Sequence, residues 1–128
     1  MIQALYRSSE GKLDCNFPIE DIPRALQDAG GVLWVNIVEE DAPACHALLR
    51  DVFRFHPLAI EDAMTQSNVA KIDDWIEYLY ISLQAIVFDR SEDDRIGTLE
   101  LSTFLGENYL VTYHKQPIPS LERVWSTV

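Results

Sequence analysis

Two adjacent acids, Glu61 and Asp62, follow a proline in the stretch FHPLAIEDAMT, Phe55 to Thr65. Neighbouring carboxylates are raw material for a divalent-cation site, because hard cations take oxygen ligands. Pro57 suits a first helical turn, and His56 before it is pushed out of the helical region. A helix is therefore expected from His56-Pro57 to about Thr65, with His56 as a cap or packing residue rather than a base. Adjacent residues on a helix do not face each other, so the two carboxylates fan apart and form no closed cage alone. An ion held there completes its shell with water or with oxygens from another segment or subunit. Magnesium suits such a site, since it keeps several waters and takes one or two carboxylates. The plainer alternative is surface charge near a helix start, and spacing alone favours it.

Other chemistry-bearing residues point to structure. The chain holds no G-x-S-x-G, P-loop, G-x-G-x-x-G or H-E-x-x-H pattern. Cys45 and His46 are neighbours on an expected helix, diverge by roughly 100°, and cannot share one tetrahedral metal. His114 ends an expected strand and reads as structural. The acids Glu39-Glu40-Asp41 suit a helix N-terminus, Asp73-Asp74 precede a strand, and Glu92-Asp93-Asp94 mark a solvated hairpin tip. Trp34, Trp75, Tyr78 and Tyr80 on strand faces read as core. No nucleophile–base pair can be placed, so the chain is not read as an enzyme.

Bulk properties narrow the partners. The 128 residues carry 21 acids against 10 Lys plus Arg, a formal net charge of −11. Phosphate backbones attract Lys and Arg clusters, and none exists, so nucleic acid and anionic membrane surfaces are excluded as partners. The longest charge-free stretch, Tyr78 to Phe88, falls far short of the ~20 residues of a spanning helix. No signal-peptide pattern opens the chain, so Cys15 and Cys45 are expected as thiols in a reducing cytosol.

The elements that must position these residues follow from periodicity. Met1–Arg7 and Lys12–Asn16 read as a strand pair around a Ser8–Gly11 turn. A short helix is expected over Ile19–Ala29, ended by Gly30-Gly31. Val32–Val38, VLWVNIV, reads as a buried central strand. Asp41 is placed as the N-cap of a helix over Ala42–Phe53, with Ala44, Ala47, Leu48 and Val52 inward. Gln66–Ala70 is expected as a loop. One strand is expected over Trp75–Phe88, with Leu79, Ile81, Leu83, Ala85 and Val87 on one face and Tyr78, Tyr80, Ser82 and Gln84 on the other. A charged reversal at Asp89–Arg95, a strand at Thr98–Leu105, a turn at Gly106–Asn108 and the strand YLVTYH complete an antiparallel meander. Ser120 is placed as the N-cap of a helix whose apolar stripe is Leu121, Val124, Trp125 and Val128. The fold class is α/β in the broad sense (mixed α+β): one domain over 1–128 with a mixed β-sheet, a C-terminal antiparallel meander and flanking short helices. Residues 120–128 are expected to begin a truncated helix.

These motifs, taken in order, resemble the N-terminal cytosolic domain of CorA-type magnesium transporters. FHPLAIEDAMT is similar to the family's H-P-L-x-x-E-D motif. WVNI at Trp34–Ile37, KIDDWIEYLYISL at Lys71–Leu83, LELSTFLGENYLVTYH at Leu99–His114 and PIPSLERVW at Pro117–Trp125 resemble its further segments. The ordered set covers about Trp34 to Trp125. Where the family often reads Q-R-P-K-V-E, this chain has Gln66-Ser67-Asn68-Val69-Ala70-Lys71-Ile72-Asp73, without that proline and with a longer loop. The stalk helix, the two membrane helices and their Gly-Met-Asn signature are not in these residues.

The resemblance implies an α/β/α sandwich feeding a long helix into the membrane at its cytoplasmic (inner) face, with five copies forming a funnel. It implies that Glu61 and Asp62, Asp62 foremost, join inter-subunit Mg2+ sites whose partner acids lie beyond Val128. With it in view the cation reading overtakes the plain one. The expected role is a regulatory domain of a homopentameric divalent-cation transporter, sensing Mg2+ to gate transport; Co2+, Ni2+ or Zn2+ are alternative cations. The other readings are a zinc or other divalent-metal transporter domain of the same superfamily, or a stand-alone interaction module.

Overall fold

The computed structural model describes the chain except residues 39–41, 66–68 and 90–94, with backbone alone at 87–89, 95 and 96. The expected first hairpin forms from β1 (Ile2–Arg7) and β2 (Leu13–Asp14). Its turn closes through Gly11 N–H to the Ser8 carbonyl at 2.9 Å, and Gly11 sits at φ +86°, where a residue without Cβ is favoured. A 3-10 turn (Ile19–Asp21) leads into α1 (Ile22–Leu26), shorter than the expected Ile19–Ala29. The residues beyond α1 serve another purpose: Asp28 accepts the Tyr6 hydroxyl and the Ser9 N–H, tying the loop to the first hairpin. The Tyr6 hydrogen bond holds the Asp28 carboxyl below its ordinary range, and the same bond raises the Tyr6 phenol.

β3 (Val32–Val38) runs antiparallel to β1 and parallel to β7 (Tyr109–His114). The expected 42–53 helix divides. An α-helix, α2 (Ala42–Ala47), widens into a π-helical stretch over Leu48–Val52. Cys45, Leu48 and Leu49 are buried and Val52 packs on the core, while Ala47, expected inward, is exposed. Asp41, expected as the cap, lies outside the described residues. Arg54, in the left-handed region at φ 58°, ends this helix and turns the chain so that Phe53 and Phe55 stack with centroids 5.3 Å apart. α3 (Pro57–Met64) follows.

The expected strand over Trp75–Phe88 starts later, at Leu79, after a turn, and a separate short strand precedes that turn. β4 (Lys71–Asp74) pairs antiparallel with β5 (Leu79–Asp89), around a turn in which Asp74 Oδ1 accepts the Ile76 N–H at 2.8 Å. Ile76 sits at φ 75° and is 95% exposed, a conformation that a β-branched side chain disfavours and that no sequence propensity announces. β6 (Arg95–Leu105) and β7 complete the expected meander, giving a seven-stranded sheet ordered β2-β1-β3-β7-β6-β5-β4. The Glu92–Asp94 tip lies outside the described residues. The last helix, α4 (Pro119–Thr127), starts with Pro119 at its first position and has Ile118, not Ser120, as its N-cap. Proline's fixed φ and missing N–H suit it to that position, and no side-chain cap bond forms.

The result is a mixed α+β fold with helices on both faces of the sheet. Residues of α1, α2, the π-helical stretch and α3 pack with Leu33, Val35, Ile37, Tyr80, Phe104, Val111 and Tyr113 into one core. Alternation places Tyr80, Ser82 and Gln84 of β5 and Phe104, Ser102 and Glu100 of β6 on this covered face, while Leu83, Leu101, Thr103 and Leu105 alternate to the other. There Leu83 and Leu105 remain 47% and 42% exposed. That second face carries α4 through a Trp34–Trp125 contact at 4.6 Å. Beneath it, Asn36 Oδ1 accepts the Thr112 hydroxyl at 2.8 Å, and Trp34 Nε1 donates to Thr112 Oγ1 at 3.0 Å. His114 Nδ1 donates to the Gln116 carbonyl at 2.7 Å, with Nε2 3.0 Å from Asn36 Oδ1. Buried polar groups must find partners, and these four residues supply one another.

Two outcomes follow. Phe104 is 0% exposed and stacks on Phe55 at 4.2 Å, so Phe104→Ala should lower unfolding free energy by about 3–5 kcal/mol in denaturant titration, whereas exposed Val124→Ala should change it by under about 0.5 kcal/mol. Burial raises the Tyr109 phenol to about 12. The unfolded chain ionises first, near the ordinary value of 10.0, so this stability is complete below pH 10 and is lost as pH rises towards 12. In thermal melts across that window, Tyr109→Phe should flatten the decline.

Candidate functional site

α3 is set in place by its first residues. His56 is extended at φ −61°, ψ 139°, and its Nδ1 accepts the Leu58 N–H at 3.1 Å, making the imidazole an N-cap as expected. The other face of the ring stacks on Trp75 with centroids 4.6 Å apart. The His56 N–H donates to the Tyr78 hydroxyl at 2.8 Å. These contacts tie the helix start to the β4–β5 turn. Ala59, Ile60 and Ala63 then bury against the sheet, so the helix can rotate no further. At its end, the Glu61 carbonyl accepts both the N–H and the hydroxyl of Thr65, at 2.9 and 2.8 Å.

With that face fixed, Glu61 and Asp62 diverge as the helical geometry requires. Glu61 is exposed and Asp62 half-buried. Asp62 Oδ2 lies 2.7 Å from Lys71 Nζ, and the same ammonium lies 3.2 Å from Asp73 Oδ2. It also sits over the Tyr80 ring at 5.8 Å, within cation–π range. The hydrogen bond from Asp62 foremost, with Asp73 adding to it, raises the Lys71 pKa above its ordinary value. Helix α3 and strand β4 are thus joined by one ammonium.

Neither Lys71 nor Asp73 was singled out by the sequence as part of this site. The signal was present only as register: Lys71 stands opposite Ser82 and Asp73 opposite Tyr80 across β4–β5, and no strand was expected over 71–74, between the loop at 66–70 and the strand from Trp75. Sequence reading also missed the buried acid Glu100, 8% exposed, whose Oε1 accepts the Ser82 hydroxyl at 3.1 Å. Its Oε2 has no hydrogen-bond partner, and neither does Nε2 of Gln84, the residue directly opposite. Tyr80 donates to or accepts from Ser102 at 3.1 Å beside them, and burial foremost raises its phenol pKa.

Among the described residues no three His, Cys, Asp or Glu side chains gather at one point. Cys45 is buried and His46 exposed, so the expected divergence of that pair holds. A metal held by Asp62 would draw on one or two hard carboxylate oxygens of this chain, a donor set suited to magnesium and poor for zinc. No described helix is long and apolar enough to cross a membrane.

A family model for the CorA-like Mg2+ transporter protein matches residues 29–128, and the chain belongs to that family. It is 34% identical over 125 residues to YfjQ of Bacillus subtilis (strain 168), which is named as a metal ion transporter; the match takes in 97% of this chain and 36% of that relative, so the chain spans about a third of its length. The soluble domain of CorA from Methanocaldococcus jannaschii superposes with a TM-score of 0.67 at 14% identity, over 96% of this chain and 44% of that one. The complete CorA magnesium transporter of the same organism gives 0.72 at 13% identity, over 99% and 37%. Full-length CmaX gives 0.72 at 15%, over 97% and 37%. At such identities these structures establish the shared fold.

The cap is open to direct measurement. His56→Ala leaves the Leu58 N–H without its side-chain acceptor and should cost about 1 kcal/mol in denaturant unfolding; His56→Asn, which can cap, should recover most of it.

Proposed function

We propose that this chain is a regulatory domain of a CorA-like divalent-cation transporter and that it senses Mg2+ through Asp62, with Glu61 beside it, at boundaries between copies. The position of Asp62 carries the reading. It is partly exposed on the solvent side of a helix that belongs to the family's motif, and its carboxylate already holds a cation, Lys71. Among the described residues too few acids gather at that point to close a coordination shell, and in this reading water and a neighbouring copy complete it. The assembly in this reading is a homopentamer at the cytoplasmic face of the membrane, entered by helices outside these 128 residues.

The mechanism is electrostatic. Bound ions offset repulsion between carboxylates on adjacent copies and favour a closed assembly; when they leave, like charges repel and the closed state loses support. A pair of unit charges 4 Å apart is worth about 1–4 kcal/mol between bulk water and a protein surface. Moving a two-state equilibrium from 1:99 to 99:1 takes about 5.5 kcal/mol. Several repeated contacts are needed, which a ring of copies supplies.

A second reading, an interaction module with no ion role, draws on one observation: the Asp62 charge is already neutralised within the chain by Lys71. Ion flux separates the two. In the parent-length transporter reconstituted in vesicles, Mg2+ on the domain side should inhibit uptake, and Asp62→Asn with Glu61→Gln should raise the inhibiting concentration several-fold. Identical inhibition in the variant would remove these residues from the sensor.

A further inference from the structure

Lys71 occupies the place at Asp62 where a bound cation would make its contact. Its Nζ is 2.7 Å from Asp62 Oδ2 and 3.2 Å from Asp73 Oδ2. These are contacts from two different elements, α3 and β4, to a single positive charge. All three side chains keep between 34% and 39% of their surface in solvent, so ions have access to the group. We propose that Lys71 is an internal competitor for Asp62, so that a divalent cation binds this carboxylate only by displacing the Lys71 ammonium. The inference rests on the reading of Asp62 as a cation ligand and adds the residue that sets its threshold.

The physical case has three parts. First, the ammonium and a divalent ion cannot share Oδ2, because both would sit within a few ångströms and repel. Second, displacement is feasible. Lysine carries a compact charge on a flexible four-carbon stem, Asp73 on the same strand offers an alternative anchor at 3.2 Å, and exposed ion pairs of this kind are weak. Third, the competitor is local and stoichiometric, so it lowers cation affinity by a fixed factor. That shifts a sensor from responding at trace levels towards responding only at abundant ones. Released Lys71 also removes the ammonium link between α3 and β4, which gives cation binding a structural consequence inside one chain.

The test uses the parent-length transporter, in which neighbouring copies can complete the site, and Mg2+ itself, with affinity from calorimetry and the Lys71 ammonium followed by 15N-resolved NMR. Lys71→Met keeps the aliphatic stem over the Tyr80 ring and removes the charge; it should tighten Mg2+ binding about two- to fivefold. Lys71→Arg keeps the charge with a firmer grip on carboxylates and should bind no more tightly than the natural chain. In the natural chain, Mg2+ should shift the Lys71 ammonium signal as its bond to Asp62 breaks. Adding Asp62→Asn to Lys71→Met should abolish the gain. If Asp62→Asn in the natural chain weakens Mg2+ binding while Lys71→Met leaves it unchanged, the competitor is refuted and the Asp62 ligand stands. An Asp62→Asn variant that binds as the natural chain does would instead refute the underlying reading. Lys71→Met with no measurable Mg2+ binding, or an ammonium still bonded to Asp62 at saturating Mg2+, overturns the proposal. Circular-dichroism melts confirm that each variant is folded.

Discussion

The parallel pairing of β3 with β7 is the constraint on which the rest depends. It is the one parallel contact among the described strand pairs, and it joins an N-terminal hairpin to a C-terminal meander. Parallel neighbours need a long crossover. Here the crossover holds α2, its π-helical extension, α3 and the whole β4–β6 meander. Whatever lies in that connection must return to the sheet, and α3 does so by burying Ala59, Ile60 and Ala63 in the core shared by Phe104 and Tyr80. The place of Asp62 is thus decided by sheet topology as much as by its own helix.

Local contacts convert that placement into geometry. The His56 ring caps α3 and stacks on Trp75, and the His56 N–H reaches Tyr78. The last two link the helix start to the β4–β5 turn, the turn that the left-handed Ile76 makes possible. Because one turn positions both the helix and β4, Lys71 and Asp73 arrive beside Asp62. The pairing of helix acid and strand ammonium is a consequence of the turn, and a cation at Asp62 would act on the same joint.

Much of this was legible in the sequence, and the failures have physical causes. VLWVNIV, the H-P-L helix and the three-strand meander stand where alternation and proline placed them. Of the inward face expected for 42–53, Leu48 is buried and Val52 packs on the core, but Ala47 is exposed and Cys45 and Leu49 are buried as well; the π-helical geometry from Leu48 onward leaves no mark in residue periodicity. The β4 strand was missed and its turn at 75–78 was taken into the following strand, because DDWIEY contains neither Gly nor Pro and an isoleucine at positive φ runs against its propensity. For the candidate site, Glu61 and Asp62 were selected by type and position, while Lys71 was not. Ion pairs between a helix and a strand nine residues on depend on three-dimensional register, and no spacing rule encodes that.

Anomalous diffraction from the parent-length assembly grown with Mn2+, a stand-in for Mg2+ with similar preference for oxygen ligands, tests the central claim most directly. The account predicts a peak bonded to the Asp62 carboxylate, at a boundary between copies, with the Lys71 side chain turned away from Oδ2. An α3 facing no neighbouring copy, with Lys71 still on Asp62 and no peak beside it, would contradict it.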